Sequence, residues 1–279
     1  MSSQPASTAT DSFGLPAELR FSGVVAASWR LYRAHFRALI SLYVAIFLPL
    51  AFLRVGIQML LRLTASAMAA QVILTLTSIV LVALAGSFAL HCATVILADG
   101  ISGRVTSSGA SAGSLRGQFR DLVSAGLLVG MLSIAALLLP FGPLGSMVVV
   151  PMLLGPPVLA HILAVEGKSF PEAVVRARML LGGNWGRTLI TLLNIAFVLG
   201  ILQLVLLSFS VALLAGVGGL ALVLLTFLQT LIAAIALPYL AAAALVSYLD
   251  LRVRNEDLDW AGLAAERSST LGRISVSPQ

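Results

Sequence analysis

Three histidines and three acids are the side chains of this chain whose types and places suggest chemistry. His91 and His161 each stand a few residues before an acid, Asp99 and Glu166, near the end of a long apolar run. His35 is far from both in the sequence. An imidazole can bind a metal or carry a proton near neutral pH. Polar residues inside a membrane are functional candidates by default. The ordinary alternative is that each imidazole bonds a backbone carbonyl. Asn194, Gln203 and Gln229, with Gln71, are the other polar residues inside apolar runs. Hydrogen bonding between helices is the usual role of such amides.

Metal or acid–base catalysis needs several ligands or carboxylates converging on one pocket. The eleven acids of this chain all lie in tails or between apolar runs. Nothing reads as a phosphate-binding glycine loop with its lysine, a zinc pair or a nucleophile elbow. No catalytic residue, metal or cofactor is therefore expected.

Asp99, Glu166 and Asp250 share a different pattern, since each closes a long apolar run. A carboxylate at the C-terminal end of a helix opposes the helix dipole. Such acids need cations. The arginines expected to supply them are Arg37, Arg120 and Arg187, which would tie helical hairpins together. The alternative is that the three are solvated loop acids.

The elements that must position these groups are apolar helices. From Gly218 to Ser247 there is no charged residue, and about 20 apolar residues suffice to span a bilayer. Charged residues make up 10% of the chain, against roughly 25% in soluble domains, and mean hydropathy is +1.04. This excludes an ordinary soluble enzyme. The expected fold is an all-α polytopic bundle of six spans, about 38–58, 68–97, 122–139, 144–165, 188–214 and 221–248. Residues 1–20 read as a disordered tail without a cleavable signal peptide, 21–254 as the membrane domain, and 255–279 as a polar tail. Pro151 and Gly155-Pro156-Pro157 interrupt the fourth span, so a kink or break is expected there. Gly126 and Gly130 are spaced for close helix approach in the third.

Two shorter amphipathic segments accompany the spans. In Ser22 to Arg37, Val25, Trp29, Tyr32 and Phe36 fall on one helical face and Arg30, Arg33 and Arg37 on another, which suits the headgroup boundary. Ser169-Phe170-Pro171-Glu172 has the form of a capping box that opens a helix. Glu172 and Arg176 stand at i, i+4 in that helix, the spacing of an ion pair.

The charge distribution predicts orientation. Fifteen of the seventeen basic residues fall before span 1, between spans 2 and 3, between spans 4 and 5, or after span 6. Arg54 and Arg62 alone fall on the other side. By the positive-inside bias both termini face the cytoplasm. This placement also accounts for the pI of 10.4 without a nucleic-acid partner. Sixteen arginines against the single Lys168, with abundant Ala, Gly and Leu, suit a GC-rich bacterial genome. The single Cys92 excludes an internal disulfide.

A weak internal repeat runs through the belts. Ile96-Leu97-Ala98-Asp99-Gly100 echoes Ile162-Leu163-Ala164-Val165-Glu166-Gly167, and Phe21 to Ile40 aligns without gaps on Phe170 to Leu189. Three hairpins result, each opening with an aromatic and an arginine and closing with an acid.

Tyr248-Leu249-Asp250-Leu251-Arg252-Val253-Arg254-Asn255-Glu256-Asp257-Leu258-Asp259 resembles the closing motif of the membrane domain of glycerophosphoryl diester phosphodiesterases. Trp29-Arg30-Leu31-Tyr32-Arg33-Ala34-His35-Phe36 resembles its opening. The similarity covers roughly Phe21 to Leu263. It implies six spans and a cytoplasmic C-terminus in a bacterial inner membrane. It implies no activity, because the family's enzymatic barrel would need about 250 further soluble residues. The expected role is a non-catalytic membrane module that binds lipids or another membrane protein. The alternative is a small transporter or permease for a lipid-related or amphiphilic solute.

Overall fold

The computed structural model describes residues 19–64, 67–101, 115–138, 158–214 and 219–256. The expected disordered tail up to residue 18, the Gly/Ser-rich loop at 102–114, the proline-interrupted part of the fourth run and the tail from 257 lie outside these residues. Among the described residues every regular element is helical. They are α1 (Phe21–Ala34), α2 (Phe36–Thr64), α3 (Ala67–Ile101), α4 (Leu115–Leu138), α5 (158–166), α6 (Phe170–Leu181), α7 (Trp185–Leu214) and α8 (Gly219–Glu256).

Three of these helices are long and apolar enough to cross a membrane: Phe36–Leu61 in α2, Val72–Ile101 in α3 and Val223–Glu256 in α8, with mean hydropathies of 2.2, 2.3 and 2.0. The chain thus has transmembrane character. The helices overrun the apolar runs that suggested them. α8 continues through Asp250 to Glu256, because backbone hydrogen bonding does not stop where lipid does.

Packing divides the bundle into two ends. Residues 91–99 of α3, 158–165 of α5 and 241–253 of α8 are buried without exception. Elsewhere the bundle is open: Leu231 of α8 is 51% exposed, Phe52 of α2 62% and Phe197 of α7 67%. Apolar side chains exposed over so large a surface are stable only against lipid or a partner. The packed end is dominated by Ala and Leu, among them Ala89, Ala93, Leu97, Leu163, Ala242 and Leu245.

α2 runs antiparallel to α3. The His35 ring occupies the room left by the missing Cβ of Gly100, and Tyr43 lies beside Cys92. α4 crosses α3 at Gly126, where a Cβ would stand 3.0 Å from the Leu84 Cα. Gly130 is looser, with Ala83 Cβ at 3.6 Å. Of the glycine pair of the third run, Gly126 serves close approach, while Gly130 has room for an ordinary contact.

α1 packs on α8 and turns into α2 at His35. Its buried face is Val24, Ala27, Ser28, Leu31 and Tyr32. This face is turned by about one residue from the Val25-Trp29-Tyr32-Phe36 stripe expected from sequence, since Trp29 and Phe36 are exposed. Tyr32 donates to the Ile235 carbonyl at 3.0 Å, beside the carbonyl of Ala234 that Pro238 leaves without its helical donor.

Candidate functional site

The polar groups of the packed end gather around Glu166, the last residue of α5. Gly167 follows with φ 66°, a left-handed conformation that glycine adopts at no steric cost. The chain turns there and re-enters a helix at Phe170. The Ser169 backbone N–H donates to the Glu172 carboxylate at 3.1 Å, one of the two reciprocal bonds of the expected capping box. That bond also holds the Glu172 carboxyl below its ordinary pKa. The Phe170 N–H is capped by Asp121 of α4 at 3.0 Å.

Glu166 is 5% exposed as a side chain, yet it meets three cations. Lys168 lies 3.0 Å away, the Arg176 Nε 3.1 Å and the Arg252 Nε 3.9 Å. Tyr248 donates its hydroxyl to Oε1 at 2.7 Å. Burial alone would push the Glu166 carboxyl up, but the Tyr248 and Lys168 hydrogen bonds and the Arg176 and Arg252 charges outweigh it and hold the pKa below its ordinary value. Arg176 and Arg252 both reach on to Glu256. One network thus joins α5, α6 and α8. Removing one partner of a buried pair costs about 3–5 kcal/mol, because the other charge is left uncompensated.

A second cluster centres on Asp250. It accepts from the Leu19 backbone N–H at 2.9 Å and from Arg254 at 3.0 Å, with Arg187 at 3.7 Å. Arg254 and Arg187 also donate to the Leu19 carbonyl. The start of α1 is thereby strapped to the end of α8 and the beginning of α7.

Deeper in the packed end, His161 is fully buried, stacked on Tyr248 at 5.9 Å between centroids, and close enough to His91 to interact electrostatically. The Thr94 hydroxyl lies 2.8 Å from His161 Nδ1 and 2.7 Å from the Leu90 carbonyl. A carbonyl can only accept, so the single hydroxyl proton of Thr94 goes to Leu90. The Thr94 oxygen then accepts from His161, which fixes the Nδ1–H tautomer. His161 Nε2 is left as a buried lone pair with no hydrogen-bond partner among the described residues. A chain of polar groups therefore runs from Thr94 through His161 and Tyr248 to Glu166.

The structure brings His91 and His161 together across α3 and α5. It places Arg187 at Asp250, whereas Arg37 and Arg120 are exposed side chains and Asp99 is buried. Glu166 draws its cations from Lys168, Arg176 and Arg252 instead. Arg176 turns to Glu166 and Glu256, while Glu172 serves its own helix cap. Asn194 is exposed and donates back to the Ile190 carbonyl at 2.7 Å, so it joins no second helix by that bond. Gln229 is half-buried on α8. Gln203 falls on α7, and its side chain lies outside what the structure describes. Sequence reasoning gave no site role to Thr94, Tyr248, Arg252 and Glu256, and it paired Arg176 with Glu172 rather than with Glu166 and Glu256. The i, i+4 spacing of Arg252 and Glu256 was the one available signal.

An open cleft of about 610 Å³ lies against α6, lined by Lys168, Pro171, Glu172, Val175, Arg176 and Met179. Among the described residues no group of three His, Cys, Asp or Glu side chains is placed to hold a metal ion. No family model, curated protein or solved structure matches the chain.

Proposed function

We propose that the chain is a six-span protein of a bacterial inner membrane, with both termini cytoplasmic, and that it is a binding or assembly module without catalysis. In this reading it belongs with the membrane domains of the glycerophosphoryl diester phosphodiesterases, on the opening and closing stretches quoted above. The observation that carries the module reading is the use of the carboxylates. Glu166, Glu256 and Asp250 hold arginines, while Asp121 and Glu172 hold the start of α6. All but Glu172, which caps its own helix, join elements at an end packed with Ala and Leu. The other end offers lipid or a membrane partner a broad apolar surface. The test is purification in a gentle detergent followed by identification of what accompanies the chain. A defined lipid or membrane protein at stoichiometric ratio is the expected result, and a bare chain with nothing bound overturns the reading.

A transporter for an amphiphilic solute is the second reading, favoured by the buried His161 Nε2 beside His91. Its test is flux of a short-chain fluorescent phospholipid in liposomes. Flux that the His91→Ala/His161→Ala pair abolishes would replace the module by a transporter.

A further inference from the structure

α7 packs on α8 with one side and leaves another side open. Thr188, Thr191, Leu192 and Ile195 are buried. Ile190, Asn194, Phe197, Ile201, Leu204 and Ser208 are exposed. Counted at about 100° per residue, these six fall within one sector of about 80°. Their positions advance in alternating steps of four and three residues. That is the heptad spacing of a helix that packs lengthwise against another helix. Gly200 flanks the stripe, and a Cβ there would meet nothing within 4 Å, so close approach on this side is open.

One member of the stripe does not suit lipid. Asn194 gives an amide N–H to the Ile190 carbonyl at 2.7 Å. Its Oδ1 and its second N–H make no bond among the described residues. Arg187, which lies at Asp250, stands seven residues earlier, so Asn194 is about 10 Å further along the helix. Apolar side chains surround it there, with Ile190 60% and Phe197 67% exposed on either side. Hydrocarbon offers an amide no hydrogen bond, and an unmet polar group in it is destabilising.

We propose that this stripe is the contact face of a homodimer, in which α7 packs against α7 of a second copy and the two Asn194 amides bond each other. The chemistry of the amide selects this occupant. What remains on Asn194 is one donor and one acceptor, a set complementary to itself. Lipid chains carry neither group. Two copies in one membrane point the same way, so their α7 helices run parallel about a two-fold axis. A residue near that axis meets its own counterpart at equal depth. A single asparagine in an apolar heptad stripe also fixes the register, because a slipped pair would leave both amides in hydrocarbon. The dimer deepens the module reading by naming a partner, and it rests on the part of that reading in which α7 crosses the membrane.

The test uses the full chain in phosphatidylcholine liposomes, with donor and acceptor fluorophores on separate copies and a rising protein-to-lipid ratio. Energy transfer is expected to saturate as a monomer–dimer equilibrium. Two interhelical hydrogen bonds contribute about tenfold to association. Asn194→Leu is therefore expected to weaken dimerisation by about that factor, while its thermal unfolding stays unchanged because the side chain is exposed. In a Cys92→Ala background, Phe197→Cys is expected to form a disulfide-linked dimer under mild oxidant. Phe52→Cys and Leu231→Cys, on the exposed faces of α2 and α8, are expected not to. Should Asn194→Leu not fold, the cross-linking pattern decides alone. A monomer at every density, a cross-link at Phe52→Cys or Leu231→Cys in place of Phe197→Cys, or an Asn194→Leu variant that pairs as tightly as the wild type each overturns the proposal. So does a monomer whose α7 stripe is held by a lipid or by a different membrane protein. Each of these results in an inserted chain removes the dimer and leaves the module reading standing. Reaction of Phe197→Cys with a membrane-impermeant maleimide in intact liposomes would show that α7 does not cross, and would remove the six-span reading with the dimer.

Discussion

The hydroxyl of Tyr248 donates a 2.7 Å hydrogen bond to Oε1 of Glu166, joining α8 to the end of α5. The same phenol ring stacks on His161. One side chain thus connects the charged network to the buried imidazole. Hydrogen bonds to charged groups contribute about 1.5–3 kcal/mol. Tyr248→Phe keeps the stack and removes only the donor, so it is expected to destabilise by about that amount. Thermal unfolding in detergent checks this, and an unchanged midpoint would show that the bond contributes nothing.

Acid should loosen the same network. The Glu166 carboxyl is held below its ordinary value in the folded protein. As pH falls, the unfolded chain takes up the proton first. The stabilisation is therefore fully present above the ordinary carboxylate range and is lost as pH drops through it towards the folded value. Glu166→Gln has no such proton to bind. Its unfolding midpoint is expected to lie below that of the wild type at pH 7, with the gap narrowing steadily below about pH 4.5. A gap independent of pH would mean that the Glu166 carboxyl titrates alike in the folded and unfolded chains.

These features were unequally legible in the sequence. Charge-free runs gave away the helices, because hydrocarbon tolerates nothing else over such lengths. The acids closing those runs could be expected to meet arginines, since an unpaired carboxylate at a helix C-terminus opposes the dipole. Their partners could not be read. Arg252 and Arg176 reach Glu166 because α8 and α6 converge on α5, and no local spacing encodes that convergence. In α1 the aromatic stripe and the covered face differ, for Trp29 and Phe36 stay exposed while Val24, Ala27, Ser28, Leu31 and Tyr32 are buried. Periodicity records where large apolar side chains stand, while the covered face also takes in the small Ala27 and Ser28. In α7 the limit is different. Apolar residues surround Asn194 on every side, so its pattern carried no information about which face would be covered.

Gly126 shows what close approach of α3 and α4 demands. A Cβ there would stand 2.9 Å from Leu84 Cδ2 and 3.0 Å from the Leu84 Cα. The first contact can be relieved by a rotamer, but the second is backbone. Gly126→Ala is therefore expected to force the helices apart at a cost of about 1–3 kcal/mol. At Gly130 the nearest atom would be 3.6 Å away, an ordinary contact, and Gly130→Ala should be nearly neutral. Equal effects of the two substitutions on unfolding in detergent would contradict this crossing.

Asp250 gives the strictest test of the charge clusters, because it answers to more than cations. One carboxylate oxygen takes the Leu19 N–H at 2.9 Å, and the other takes Arg254 at 3.0 Å with Arg187 at 3.7 Å. Asp250→Asn keeps an acceptor for Leu19 and loses the charge, so a loss of about 1–3 kcal/mol is expected. Asp250→Arg removes the acceptor and sets a third cation beside Arg254 and Arg187, and about 3–5 kcal/mol is expected. If ion pairing alone mattered, adding Arg187→Asp would restore stability. Here it should not, since the Leu19 N–H would still lack its acceptor and Arg254 would still face a like charge at position 250. Unfolding midpoints should therefore rank wild type above Asp250→Asn, with Asp250→Arg and the double variant together at the bottom. Recovery of the double variant to near wild type would reduce the strap at Leu19 to a simple ion pair between α7 and α8.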